Sequence, residues 1–320
     1  MFQAVSEILT ETYKICRQLF KIMIPVIIAV KVLSELGIID VLSSLLNPVM
    51  KFLGLPGELG LAWATALVTN IYSGIFVFVT LADGMNITAA QATVFASVML
   101  IAHSMPVELQ VMRKSGPRLR AMLTLRMGTA LLYGWLLNLI YTATNTLQYP
   151  VKILWVPKSQ AEGIPAWLFS ELKNLVWIAF IILCLVTVMK ILNALGFMEL
   201  LNKLLGPVLN LFGVSARASA ITIFGLAIGL SYAGGLIINE ARSGKLSEED
   251  IFFSISLLGI CHSLIEDTLL LMVIGGELSG IFWGRIIFAL IFMLIMKKII
   301  NIIGKKNFYA YFFSAGTLKA

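Results

Sequence analysis

The segment KVLSELGIIDVLSSLLNPVMKFLGLP at 31–56 returns 159 positions later as KILNALGFMELLNKLLGPVLNLFGVS at 190–215. Ten of the 26 columns are identical, among them Gly37 with Gly196, Pro48 with Pro207 and Gly54 with Gly213, and Asp40 and Glu199 keep their charge. The same offset pairs Lys14 with Lys173, His103–Ser104 with His262–Ser263, Glu108 with Asp267 and Arg126 with Arg285. Leucine-rich segments resemble one another by chance; matched Gly, Pro, His and charged positions do not. A match at fixed offset marks a duplicated unit, so the chain must fold as two copies of one design.

The solvent of that design is lipid. Of 320 residues, 59% are hydrophobic and 13% charged, with a mean hydropathy of +0.94. Soluble globular chains carry roughly 25% charged residues. Several apolar runs reach the 18 or more residues that cross a hydrocarbon core of about 30 Å. The net charge of +7 is then explained by Lys and Arg anchoring topology, and no basic patch interleaved with aromatics points to nucleic acid. Lys14, Arg17 and Lys21 precede an apolar run that continues to Val32 with no small-residue cleavage site, so no cleavable signal is expected. Cys16, Cys184 and Cys261 show no paired spacing, which argues against a disulfide framework.

Each unit reads the same way. A first spanning helix (about 15–36 and 168–195) leads into a short amphipathic helix (38–53 and 197–212) and a Gly-interrupted apolar segment (57–82 and 216–241). The next helix opens on a polar cap, Thr88 with Gln91 as a capping box and Ser247 ahead of Glu248, Glu249 and Asp250. It carries the His-Ser motif, and a last spanning helix follows (about 117–143 and 277–303). The connector 144–166 holds Pro150, Pro157 and Pro165 and separates the halves.

Loop charge gives the relative orientation. Arg113, Lys114, Arg118 and Arg120 follow the first His-Ser helix, whereas its counterpart, Gly275 to Gly280, has only Glu277. The loop at 83–87 lacks positive charge, while 242–245 holds Arg242 and Lys245. Under the positive-inside rule equivalent loops lie on opposite sides, so the halves are inverted. Inversion requires an odd number of crossings per half. It is met if 57–82 and 216–241 are re-entrant hairpins, breaking near Asn70–Gly74 and Gly229–Gly235, and both termini are then cytoplasmic.

The two histidines of the chain both sit in the repeated motif, AHSMPVE at 102–108 and CHSLIEDT at 261–268. Counted from the helix starts at about 1.5 Å per residue, both fall near the bilayer midplane, where ionisable groups face a cavity or a partner. Glu108, Glu266 and Asp267 follow closely; Glu266, four residues after His262, is expected one turn along the same face. Pro106 is expected to bend its helix and free a carbonyl. Inverted repeats with broken helices at the midplane mark substrate sites in secondary transporters. On that pattern the substrate-binding candidates are His103, Ser104, Glu108, His262, Ser263, Glu266 and Asp267, joined by Asn70, Tyr72 and Ser73 at the first hairpin tip and Ser231 and Tyr232 at the second. Cys261, His262 and His103 are the metal-ligand candidates. Arg126 and Arg285 should each reach an acidic partner or the interface, and polar packing between helices is the alternative role for the whole set.

With its Gly-Pro amphipathic helix and midplane polar motif, the repeated unit resembles the Gate, or nucleoside-recognition, domain. That domain is shared by concentrative nucleoside transporters, the membrane part of ferrous-iron transporters and the spore maturation proteins. The resemblance covers roughly 20–115 and 179–275 and implies transport or gating by inverted repeats. The chain lacks the GTP-binding domain of the iron transporters, and the substrate motifs of nucleoside transporters find no match residue by residue. The expected organisation is a first Gate-like repeat at 1–143, a connector at 144–166, a second repeat at 167–306 and a tail at 307–320. The fold class is all-α integral membrane, two inverted repeats each with about three transmembrane helices, an amphipathic helix and a re-entrant hairpin.

The function expected is a secondary transporter or permease for a polar solute, nucleoside-like on the family's label, in a bacterial inner membrane. It is not expected to be an enzyme or to hold a cofactor. Its partners are membrane lipids and the small polar solute or ion, with a homo-oligomer or a membrane partner protein as further possibilities and no nucleic acid. A divalent metal permease, a membrane-embedded partner without transport activity, and an intramembrane hydrolase using Ser104 or Ser263 with a histidine from the other half are the alternatives.

Overall fold

The computed structural model describes residues 2–82, 84–154, 163–211 and 214–314, with backbone alone at 2–5, 39–40, 193, 198, 211, 228, 231–234 and 242. Among these residues the chain is helical with no strand. The first half runs α1 (Phe2–Glu35), α2 (Ile38–Phe52), α3 (Leu59–Val68), α4 (Ile71–Ala82), α5 (Ala89–Ile101), α6 (Met105–Lys114) and α7 (Leu119–Ala143). The second runs α8 (Ile164–Ala194), α9 (Phe197–Leu211), α10 (Ala216–Ile228), α11 (Leu230–Arg242), α12 (Glu248–Cys261), α13 (Glu266–Met272), a π-helical turn at Ser279–Gly284 and α14 (Arg285–Tyr311). The duplication is therefore legible element by element. Of the connector, 155–162 lies outside the described residues, Pro157 with it.

Among the described residues, five stretches are long and apolar enough to cross a membrane: Ala89–Lys114, Leu119–Ala143, Ile164–Leu192, Glu248–Met272 and Ser279–Tyr311. The sixth expected span, α1, is longer than expected at 34 residues and is not among them, because Lys14, Arg17, Lys21, Lys31 and Glu35 interrupt it. It packs along α8, and two of its charges neutralise each other, Lys31 with Glu35 at 3.2 Å. Helix α14 kinks at Gly304 and carries on into the tail expected from 307, which is helical to Tyr311. It docks on the loop after α6, where Arg118 N donates to Phe312 O at 2.8 Å and Ser314 N to Gly116 O at 2.9 Å.

Helices α3 and α4 turn back on each other. A Cβ built on Gly74 would lie 2.5 Å from the Ala66 Cβ and 3.2 Å from the Ala62 carbonyl, whereas residues twelve apart on one straight helix are about 18 Å apart. Gly74 is thus the close-approach residue of the hairpin. In the second half the break falls at Gly229, with φ +114° and ψ 161°, a backbone only glycine adopts without strain, and α10 and α11 pack on each other. Both caps read from sequence form: Thr88 Oγ1 accepts from Gln91 N at 3.2 Å and Ser247 Oγ from Asp250 N at 3.0 Å.

Loop contacts show the inversion directly. At one face, Gly116–Arg118 meets Phe312–Ser314, and Tyr309 Oη donates to Glu248 at the start of α12. At the other, Ala89 N donates to Tyr149 O and Leu154 N to Val273 O, both at 2.9 Å, and Tyr149 Oη reaches Glu277 at 3.0 Å. The α5–α6 segment runs from the second face to the first, and α12–α13 runs from the first to the second. Residues 113–120 and 275–280 lie at opposite ends.

Candidate functional site

The His-Ser helices are broken at the motif itself. Helix α5 ends at Ile101 and α6 starts at Met105; α12 ends at Cys261 and α13 starts at Glu266. At each break the serine is left-handed, Ser104 at φ 48° and Ser263 at φ 47°. Pro106 therefore opens α6 rather than bending a continuous helix, as its missing N–H allows in a first turn. The hairpins dock against the breaks: Ser104 N donates to Ala66 O at 2.9 Å and Leu264 N to Leu226 O at 2.7 Å. Trp63 Nε1 donates to the freed Ala102 carbonyl at 3.1 Å.

Two helix C-termini thus converge from opposite directions, each carrying an imidazole. His103 Nδ1 lies 2.9 Å from Met99 O and His262 Nδ1 2.7 Å from Leu258 O. A carbonyl only accepts, so both Nδ1 atoms carry the proton and both Nε2 atoms present lone pairs when the rings are neutral. Those Nε2 atoms face each other at 3.4 Å. Glu108 Oε1 lies 3.5 Å from His103 Nε2 and 3.4 Å from His262 Nε2, and Asp267 Oδ2 lies 3.9 Å from His103 Nε2. His103, His262, Glu108 and Asp267 are all buried. Both carboxylates sit in the first turn of the next helix, Glu108 on α6 and Asp267 on α13, where the helix N-terminus favours negative charge. The result is two imidazole nitrogens and two carboxyl oxygens turned toward one another.

Arg126 locks this geometry. Its Nη1 pairs with Glu108 Oε2, and its Nε donates to Ile101 O at 3.0 Å and to Gly259 O at 3.1 Å. One guanidinium so closes the broken ends of both halves. Arg285 departs from the expectation that it too would find an acid or the interface: it is fully buried and makes no ion pair among the described residues. Its Nη2 donates to Thr268 Oγ1 at 3.4 Å, and Nε and Nη1 have no hydrogen-bond partner there. The π turn just before Arg285 has no counterpart in α7, and the altered winding changes the angle at which α14 presents its first residue.

The remaining candidates separate. Glu266 does not share a face with His262, because the helix is broken between them; its Oε1 accepts from Tyr72 Oη at 3.1 Å, tying the first hairpin to the second half. Asn70 Oδ1 accepts from Ser73 N at 2.9 Å and so caps α4. Asn70 Nδ2 and Ser73 Oγ are buried without a partner among the described residues. Ser263 Oγ lies against the Gly229 break, 2.7 Å from where a Cβ would stand, and Ser104 serves the site through its backbone. The side chains of Ser231 and Tyr232 lie outside the described residues. Cys261 is not among the side chains that close on one point, which are His103, His262 and Asp267; it lines an apolar pocket with Leu209, Leu257 and Leu264. Sequence reasoning missed Trp63 as the donor to a freed carbonyl.

No solved structure matches the chain. A curated relative, "Uncharacterized membrane protein YvoD" of Bacillus subtilis (strain 168), is 27% identical over 261 residues, covering 80% of this chain and 81% of the relative. Residues 16–118, the first repeat up to the start of α7, match the family model described as Gate, nucleoside recognition.

Proposed function

We propose that the chain is a secondary transporter or permease that carries a small polar solute or ion across the bacterial inner membrane through the site where its halves meet. One observation carries the reading: two buried imidazole nitrogens and two buried carboxyl oxygens converge where the halves meet. Such a cluster is costly without a positively charged or proton-bearing guest. Inverted repeats, paired hairpins and helices broken at the guest's position supply the rest of a transporter's architecture. Both ring Nδ1 atoms are committed to carbonyls and neither ring has a serine hydroxyl partner among the described residues, so transport is favoured over hydrolysis. The face carrying Arg113, Lys114, Arg118 and Lys245 is assigned to the cytoplasm, and with it both termini.

The test is flux into proteoliposomes holding the purified chain. Nucleosides come first among organic solutes, on the description of the Gate family, with protons and divalent cations beside them. The expected result is uptake of one class that falls to the level of empty vesicles in His103→Ala and His262→Ala. Wild-type flux no different from empty vesicles across all three classes would overturn the reading.

A further inference from the structure

Resting on that transport reading, we propose that the ligand of the site is a divalent transition-metal ion, with Zn²⁺ the fitting representative, bound by His103, His262 and Glu108 and closed by Asp267. The three contacts among His103 Nε2, His262 Nε2 and Glu108 Oε1 are 3.4, 3.5 and 3.4 Å, a nearly equilateral triangle. Ligand atoms held at 2.0–2.1 Å from an ion in tetrahedral geometry stand about 3.3–3.4 Å apart. The triangle therefore has the size of one face of a zinc tetrahedron. Hydrogen bonds to nitrogen donors run at about 2.7–3.2 Å, and one proton can serve only one edge of three equal ones.

Asp267 Oδ2 stands 3.9 Å from His103 Nε2 and forms with the two histidines a set whose ligand atoms all lie within 4.8 Å of one another. It is placed to move toward the triangle and take the fourth position. The outer contacts are those of a metal site as well. Ligating imidazoles donate their other ring N–H to a carbonyl or carboxylate, as both do here to Met99 and Leu258. Arg126 holds Oε2 of Glu108 and leaves Oε1 to the rings.

Chemistry narrows the class. Mg²⁺ and Ca²⁺ take oxygen ligands, whereas imidazole with carboxylate suits zinc and its first-row neighbours. The thiol of Cys261 stands outside the set, which removes the soft ligand a monovalent copper ion would call for. The four facing atoms leave room between them for a single atom rather than for a nucleoside.

The test uses the tag-free full chain, purified in detergent and stripped with a chelator, titrated with Zn²⁺ by calorimetry and with Co²⁺ by visible absorption. One ion per chain and the intense d–d bands of tetrahedral Co²⁺ are expected. His103→Gln and His262→Gln should each weaken Zn²⁺ binding by at least about tenfold, and Cys261→Ala should leave it unchanged. Monodisperse elution and unchanged helical circular dichroism qualify each variant. Where a variant fails that check, a Zn²⁺-dependent rise in the wild-type Tm decides instead. No Zn²⁺ binding by the wild type, or wild-type binding in a folded variant carrying both His103→Gln and His262→Gln, would overturn the metal site. Histidine-dependent flux of protons or an organic solute without Zn²⁺ binding overturns the metal site and leaves the transport reading. Zn²⁺ binding with no flux of any solute does the reverse.

Discussion

Arg126 and Arg285 stand at equivalent positions of the two halves and have unequal partners: the first pairs with Glu108 and bonds carbonyls of both halves, while the second, among the described residues, makes no ion pair and hydrogen-bonds Thr268. Breaking a buried pair by removing one partner costs about 3–5 kcal/mol, because the other charge is left uncompensated. Arg126→Gln should therefore lower the Tm in detergent sharply. Arg285→Gln should lower it far less, since no carboxylate in direct ion-pair contact loses its partner among the described residues. Equal losses in the two variants would show that Arg285 has a partner as strong as that of Arg126.

Tyr72 and Glu266 join the first hairpin to the second half by a single hydrogen bond of 3.1 Å. Hydrogen bonds to charged groups contribute about 1.5–3 kcal/mol, and Tyr72→Phe should cost that much in thermal unfolding. Glu266→Gln keeps a carbonyl acceptor facing the phenol and should cost less. The reverse order would mean that Glu266 draws its support from elsewhere.

Much of this was legible in the sequence, and the parts that were not have physical reasons. Equal offsets at Gly, Pro, His and charged positions gave the duplication, and loop charge gave the inversion that the contacts of Gly116–Arg118 and Tyr149 display. Thr88 and Ser247 announced their caps because cap chemistry is local. The breaks at His103 and His262 were hidden because serine is an ordinary helix residue and the second motif has no proline. Glu266 was misplaced as a consequence, its assigned face depending on a helix that stops five residues earlier, at Cys261. The unequal arginines were hidden too, since a π turn leaves no mark in residue spacing.

Topology can be read with single cysteines in a chain from which Cys16, Cys184 and Cys261 have been removed. Lys114, Lys152 and Lys245 are all exposed. Lys114→Cys and Lys245→Cys should resist a membrane-impermeant maleimide applied outside intact cells, and Lys152→Cys should react. Labelling of Lys114→Cys and Lys245→Cys on opposite sides would contradict the inversion.

The left-handed serines set the direction of both imidazoles, and they give the sharpest separation of backbone from side chain. For an L-residue the left-handed conformation costs roughly 1–2 kcal/mol, a cost glycine does not carry, and a β-branched residue tolerates it least. Ser104→Gly and Ser263→Gly should hold or raise the Tm and keep the site's ligand affinity, because the break is retained. Ser104→Val and Ser263→Val should lower both, since the backbone is driven toward a continuous helix that would swing each ring away from its counterpart. Were the hydroxyls themselves ligands, the glycine variants would lose binding as fully as the valine variants do. Loss of affinity in both pairs with unchanged Tm would move Ser104 and Ser263 from backbone hinges to ligands.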